Sequence, residues 1–259
     1  MLFRRVLIAA KQWSMLAVTT PLFLIPTMIL APISRAKSWS LLRFWCETLL
    51  RHSLDISWSV DNRSGVVQDV TPKRKGVLYV HLNQQTLLAS VLYPVTLPPA
   101  KLVVNIEFAL LPLLGWSMIA LGSRIIVRQH PPSAKRQLQK VINELKHGQD
   151  YIISIEGKRS DDGELSPFKK GAVVMAIEAQ CEVVPFMTLG EYPLWPRGQL
   201  YVRPHGKVDC IVFPKISTEG MTYKDRDLLL NQLRDLAERE KASWERNNEK
   251  YLKELNHRP

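Results

Sequence analysis

Tyr151-Ile152-Ile153-Ser154-Ile155 runs directly into Glu156-Gly157-Lys158-Arg159-Ser160. A short apolar run that ends in a charged, glycine-containing turn reads as a strand opening onto a loop. Gly76-Val77-Leu78-Tyr79-Val80-His81-Leu82 has the same character. Near-continuous apolar strands belong to parallel sheets covered on both faces. Residues 101–106, Arg124 to Arg128 and Val183 to Met187 read as further strands. Ser133 to His147 reads as a helix between them. Ser133 suits its N-cap, Leu138, Val141, Ile142 and Leu145 share one face, and Gly148 closes it. Gly171 to Ala179 reads as another helix. The alternation predicts an α/β fold with a mostly parallel central sheet flanked by helices, and loops at the carboxyl ends of such strands form the usual site.

The loop after Ile155 therefore becomes the first candidate for chemistry. Gly157 permits a tight turn. Lys158 and Arg159 supply a compact cation and a planar fork, the two groups that grip phosphate. Ser160 adds a hydroxyl, and Glu156 could order the turn. Lys169 and Lys170 follow ahead of a helix start. The competing reading is a charged surface turn.

Composition widens the argument. The 259 residues carry a net charge of +11, with 46% hydrophobic and 23% charged residues. This is globular rather than disordered composition. Nine Lys/Arg face eight Asp/Glu from residue 224 onward, so the basic excess lies almost entirely upstream. Anionic partners follow: phosphate head groups, a bilayer surface or RNA. Cys46, Cys181 and Cys210 form no CxxC and read as free thiols, which excludes a zinc site or disulfide framework built on them.

Residues 1–46 contain no Asp or Glu, and Gln12 to Ser34 is a run of 23 uncharged residues. That length could cross ~30 Å of hydrocarbon. Pro21, Pro26 and Pro32 are expected to interrupt it, so a kinked span, a re-entrant hairpin and an interfacial helix all stay open. Trp13, Trp39 and Trp45 suit the head-group zone. An acid-free, Arg-bearing start also fits a mitochondrial address. Asp61 to Lys75 reads as a polar loop. From Thr222 to about Asn256 the charged sequence, with Leu229, Leu233, Leu236 and Leu255, reads as one or two amphipathic helices.

Several blocks in register resemble the glycerolipid acyltransferases, the lysophosphatidate acyltransferase group. Glu156-Gly157-Lys158-Arg159-Ser160 with Phe168-Lys169-Lys170-Gly171 is similar to that family's EGTRS block, with Lys158 where Thr is usual. Asn105-Ile106-Glu107 through Gly115-Trp116 and Gly122 to Arg128 resemble its second block. Val183-Val184-Pro185 resembles its fourth, and Pro214 to Gly220 its late turn. The resemblance covers about residues 76–221. It implies an acyltransferase-like domain over 47–221, between a membrane-associating segment (1–46) and a C-terminal helical extension (222–259). It implies transfer of an acyl group from a CoA or acyl-carrier-protein thioester to a lysophospholipid hydroxyl, with no cofactor or metal. The acceptor's phosphate would be held by Glu156, Gly157, Lys158, Arg159, Ser160 and Arg128.

One block departs from the family. Its NHxxxxD motif supplies a His base and an Asp that orients it. The register here gives Asn83-Gln84-Gln85-Thr86-Leu87-Leu88-Ala89, so Gln84 stands at the base position and Ala89 at the acid position. Shifting the register to His81 puts Thr86 where Asp belongs, and no Asp or Glu lies between Asp69 and Glu107. His81 reads more simply as a strand-end or core histidine, its rescue as base needing a distant carboxylate. Three functions follow. The first is a lapsed acyltransferase that binds anionic phospholipid or lysophospholipid, or scaffolds, at a membrane. The second is an active 1-acylglycerol-3-phosphate-type enzyme with an unusual base. The third is a basic subunit of a protein or RNA–protein assembly, supported by charge alone because no RNA-binding motif is present.

Overall fold

The computed structural model describes residues 2–65, 75–127 and 131–257. The chain opens with α1 (Leu2–Leu30) and α2 (Arg35–Thr48), then a π-turn (Leu49–Ser53) and β1 (Ile56–Asn62). Next come β2 (Val77–His81), α3 (Leu88–Thr96), β3 (Lys101–Asn105), α4 (Ile106–Ala109), α5 (Leu114–Ala120) and β4 (Arg124–Ile126). Then follow α6 (Pro131–Lys146), β5 (Tyr151–Ser154), α7 (Lys170–Ala179), β6 (Glu182–Leu189), α8 (Glu191–Leu194), β7 (Gly206–Val212), β8 (Ile216–Ser217), α9 (Arg226–Asn247) and α10 (Glu249–His257).

The strands form one sheet in the order β1-β7-β6-β2-β5-β3-β4, with β8 also pairing β6. Pairings among β6, β2, β5, β3 and β4 are all parallel, while β7 and β8 run antiparallel to β6. The expected mostly parallel α/β sheet is therefore present. β2 sits at its centre and is buried along its whole length. Its alternate residues serve two cores. Val77 and Tyr79 join the cluster beneath α2, α3 and α5, whereas Leu78 and Val80 join the one beneath α6, α7 and α9. Period-2 side-chain alternation makes both faces of one strand apolar here, which is why its sequence shows no polar alternation. Glu144 fastens α6 to the sheet, accepting from Lys101 Nζ at 2.5 Å, from the Tyr151 hydroxyl at 2.7 Å and from Arg124.

The N-terminal segment differs from expectation. Pro21 and Pro26 lie inside one continuous helix of 29 residues, about 43 Å long. Each proline removes an internal hydrogen bond. Leu24 and Thr27, both fully buried, pin the proline-bearing stretch to the body. The outer face stays apolar and exposed, with Phe3, Val6, Leu7, Val18, Leu22 and Ile29. Only 11% of its apolar window is buried in the protein. The helix is also tied at its first third. Gln12 Nε2 donates to Val202 O at 2.8 Å, and Val202 N donates back to Gln12 Oε1 at 2.9 Å. Trp13 Nε1 donates to Leu200 O at 2.8 Å. α2 runs through residue 46 and buries Trp39, Leu42, Trp45 and Cys46 in the core, so no break in secondary structure falls there.

Two smaller corrections concern polar stretches. Asp61 and Asn62, expected in a loop, end β1, because parallel pairing with β7 extends to Val212. β4 ends at Ile126, short of the expected Arg128, which lies outside the described residues. All three cysteines are free and buried, as expected, and burial pushes the Cys181 and Cys210 thiols up to about 12.

Candidate functional site

The loops that follow β2 and β5 meet at the carboxyl edge of the sheet, where adjacent parallel strands deliver them side by side. Glu156 joins the two. Its side chain is 2% exposed. Oε2 accepts from Gln84 N at 2.6 Å and Oε1 accepts from Ser166 N at 2.5 Å. Burial pushes the carboxyl up to about 7, opposed by those two amides. Ser160 N donates to Gln84 O at 2.9 Å, so residue 84 is held through both its backbone groups. Gly157 adopts φ +74°, the left-handed conformation its turn requires.

The loop residues take different places. Lys158 and Arg159 are exposed and line a cleft of about 480 Å³. Lys158 Nζ lies 3.5 Å from Asp161 Oδ2. Arg159 has no carboxylate partner among the described residues. Ser160 is buried, with its hydroxyl taken up by the turn. Its Oγ accepts from Gly163 N at 2.9 Å and lies 2.9 Å from Glu164 O and 3.0 Å from Asp162 Oδ1. The structure thus brings Glu156, Gly157, Lys158, Arg159 and Gln84 to one mouth, while Ser160 shapes the loop behind it.

The cleft is amphipathic. Lys158, Arg159, Lys169 and Arg197 line it together with Leu102, Val104, Phe108, Met118, Ile126 and Ile152. Its volume falls in the range of small-molecule sites. Sequence reading missed Arg197, which sits 38 residues downstream of Arg159 in a stretch with no motif. The fold brings it to the same mouth, where it pairs with Asp161. Tyr93, also unforeseen, lines the cleft from α3.

Gln84 lines the cleft and Ala89 is buried at 1% exposure in α3. An amide has no basic lone pair near neutral pH, and a methyl group can orient nothing. His81 is fully buried and stacks on Phe186 with ring centroids 4.7 Å apart. Its Nε2 lies 2.9 Å from Thr188 Oγ1 and its Nδ1 lies 3.0 Å from the Tyr93 hydroxyl. Burial drives its pKa down to about 3. It is a core histidine with both nitrogens engaged. A carboxylate does lie nearby: Glu191, fully buried, accepts from Thr86 Oγ1 at 2.7 Å and is pushed up to about 7 by burial.

Comparison with known proteins matches this site. A family model described as Acyltransferase matches residues 69–188. Over these residues the chain is similar to the lysophosphatidate acyltransferase-like family. It is 34% identical over 146 residues to a 1-acyl-sn-glycerol-3-phosphate acyltransferase of Chlamydomonas reinhardtii, covering 56% of this chain and 43% of that protein. It is 31% identical over 124 residues to a 1-acyl-sn-glycerol-3-phosphate acyltransferase of Pseudomonas aeruginosa, covering 47% of each. The matched stretch spans less than half the length of these curated relatives. The crystal structure of the 1-acyl-sn-glycerophosphate acyltransferase PlsC from Thermotoga maritima shares the fold, with a TM-score of 0.71 at 19% identity over 99% of this chain and 98% of that one. The family needs no cofactor beyond its acyl donor.

Proposed function

We propose that this chain is a membrane-associated lipid-binding member of its family that does not transfer acyl groups. The observation that carries this reading is the substitution at the first motif. Gln84 stands at the mouth of the cleft where a base is needed, Ala89 stands where its carboxylate partner is needed, and His81 is locked in the core. The rest of the site supports binding. A cationic mouth suits the phosphate of a lysophosphatidate-type lipid, and the apolar depth suits its chain. The long exposed apolar face of α1, tied to the body at Gln12 and Trp13, supports a helix lying in the bilayer interface rather than one leaving the body to span it.

The test pairs turnover with binding. Purified protein is given lysophosphatidate and an acyl-CoA, and thiol release is followed. No release above background is expected. Binding of lysophosphatidate is expected to weaken about tenfold or more in Arg159→Ala, the loss of a charge-assisted contact. Turnover that disappears in His81→Ala would instead establish an active enzyme with an unusual base.

A further inference from the structure

A second cavity of about 180 Å³ adjoins the cleft. Arg159 and Arg197 line both spaces. The rest of the wall mixes polar Gln85, Thr86 and Gln199 with Leu87, Trp195 and Pro196. No carboxylate is among its lining residues. A phosphate held by the two arginines therefore has an apolar cleft on one side and a polar chamber on the other. A lipid ending in a phosphate monoester uses only the first.

We propose that the lipid bound here is a phosphodiester with a small neutral polyol beyond the phosphate, of the lysophosphatidylglycerol type. This rests on the lipid-binding reading above and names the ligand's head group. The acyl chain lies in the larger cleft, the phosphate sits between Arg159 and Arg197, and the alcohol enters the second cavity. Three observations select that head group. Its size is bounded, because the cavity holds roughly six waters at ~30 Å³ each, enough for a three-carbon polyol. Its charge is bounded, because two guanidinium groups line the cavity and only one of them, Arg197, is paired with a carboxylate, Asp161, so the excess positive charge disfavours an ammonium head group. Its hydrogen-bonding is indicated by Gln85 Oε1 and Gln199 Oε1, which have no donor among the described residues. Both oxygens are buried, and the Gln85 amide is otherwise held by Nε2 donating to Gly163 O at 2.7 Å. The terminal torsion of glutamine is broad, so either amide can swing to accept from a ligand hydroxyl.

The experiment measures binding of the full chain to lysophosphatidate, lysophosphatidylglycerol and lysophosphatidylethanolamine of one acyl chain, below their aggregation limits. Lysophosphatidylglycerol is expected to bind about tenfold tighter than lysophosphatidate, the effect of one to two added hydrogen bonds. Lysophosphatidylethanolamine is expected to gain no such advantage. Leu87→Trp, which fills the second cavity from its wall, should erase the preference while leaving lysophosphatidate binding intact. Gln199→Leu should reduce the preference without bulk, and serves if the tryptophan disturbs folding. Equal or weaker binding of lysophosphatidylglycerol than lysophosphatidate overturns the head-group assignment alone. So does lysophosphatidylethanolamine binding as tightly as lysophosphatidylglycerol. Glycerophosphoglycerol binding as tightly as its acylated form would assign the site to a soluble phosphodiester instead. Failure of every lipid to bind, with Arg159→Ala indistinguishable from the parent, overturns the lipid-binding reading and this inference together.

Discussion

Installing a histidine at position 84 and an aspartate at position 89 is the sharpest test of the proposed loss of the first motif. In Gln84→His, residue 84 keeps its backbone bonds to Glu156 and Ser160, so a histidine there starts from a fixed position at the mouth of the cleft. Ala89→Asp places a carboxylate five residues on, at the start of α3. A positioned general base contributes about 10²–10⁴-fold, or ~2.7–5.5 kcal/mol of barrier. The double variant is therefore expected to release thiol from acyl-CoA in the presence of lysophosphatidate about 10²–10⁴ times faster than the parent. Neither single variant should reach that rate, because the base and its orienting acid act as a unit. The gain carries a stability penalty. Position 89 is 1% exposed and close to the buried Glu191 carboxyl, so two carboxylates would share one dry space. Like charges there cannot both ionise freely. The double variant should be destabilised by a few kcal/mol, and adding Glu191→Gln should return part of that. Thiol release follows the first effect and urea unfolding the second. A parent that already turns over at the rate of the double variant would refute the reasoning.

Other consequences can be checked separately. Glu156→Ala leaves the Gln84 and Ser166 amides without acceptors and should cost about 2–6 kcal/mol by urea unfolding, while Glu156→Gln, which keeps one acceptor, should cost less. Glu156 and Glu191 are both raised to about 7, so the folded state binds more protons than the unfolded one between about 4.5 and 7, and their contribution to stability falls as pH rises through that window. His81, lowered to about 3, contributes in the opposite sense between about 3 and 6.5. The difference between parent and Glu191→Gln isolates one glutamate, and should change by at most ~1.4 kcal/mol per pH unit. Gln12→Leu strands the Val202 amide and carbonyl and should cost about 2–4 kcal/mol, with faster proteolysis near residues 198–202.

How much was legible depended on how local each signal is. The strand at Tyr151 to Ser154 and its loop were readable because the apolar run and the charged turn are adjacent. Gln84 and Ala89 were readable because the motif's spacing is fixed along the chain. β1 and β7 were not. Ile56 to Asn62 is mostly exposed and polar, and becomes a strand only through its pairing with Gly206 to Val212, 150 residues away. Arg197 escaped notice for the same reason, since only the folded loop brings it beside Arg159. Pro21 and Pro26 misled because proline's local cost was visible, whereas the burial of Leu24 and Thr27 that offsets it was not. Ser160 shows the reverse error: a hydroxyl in a phosphate-like motif looked available, yet the turn consumes it.

The paired hydrogen bonds between the Gln12 side chain and the Val202 backbone have a mechanical consequence. Within six residues the same loop carries Arg197 and Gln199 on the cavity wall, Leu200 bonded to Trp13, and Val202 bonded to Gln12. If α1 rests in a bilayer, its tilt and depth are transmitted through two rigid links to the chamber that takes the head group. Lateral pressure and curvature then become inputs to ligand affinity, and detergent extraction alters the site as well as its surroundings. The molecule would respond to the physical state of the membrane with the same few residues that sort its lipids.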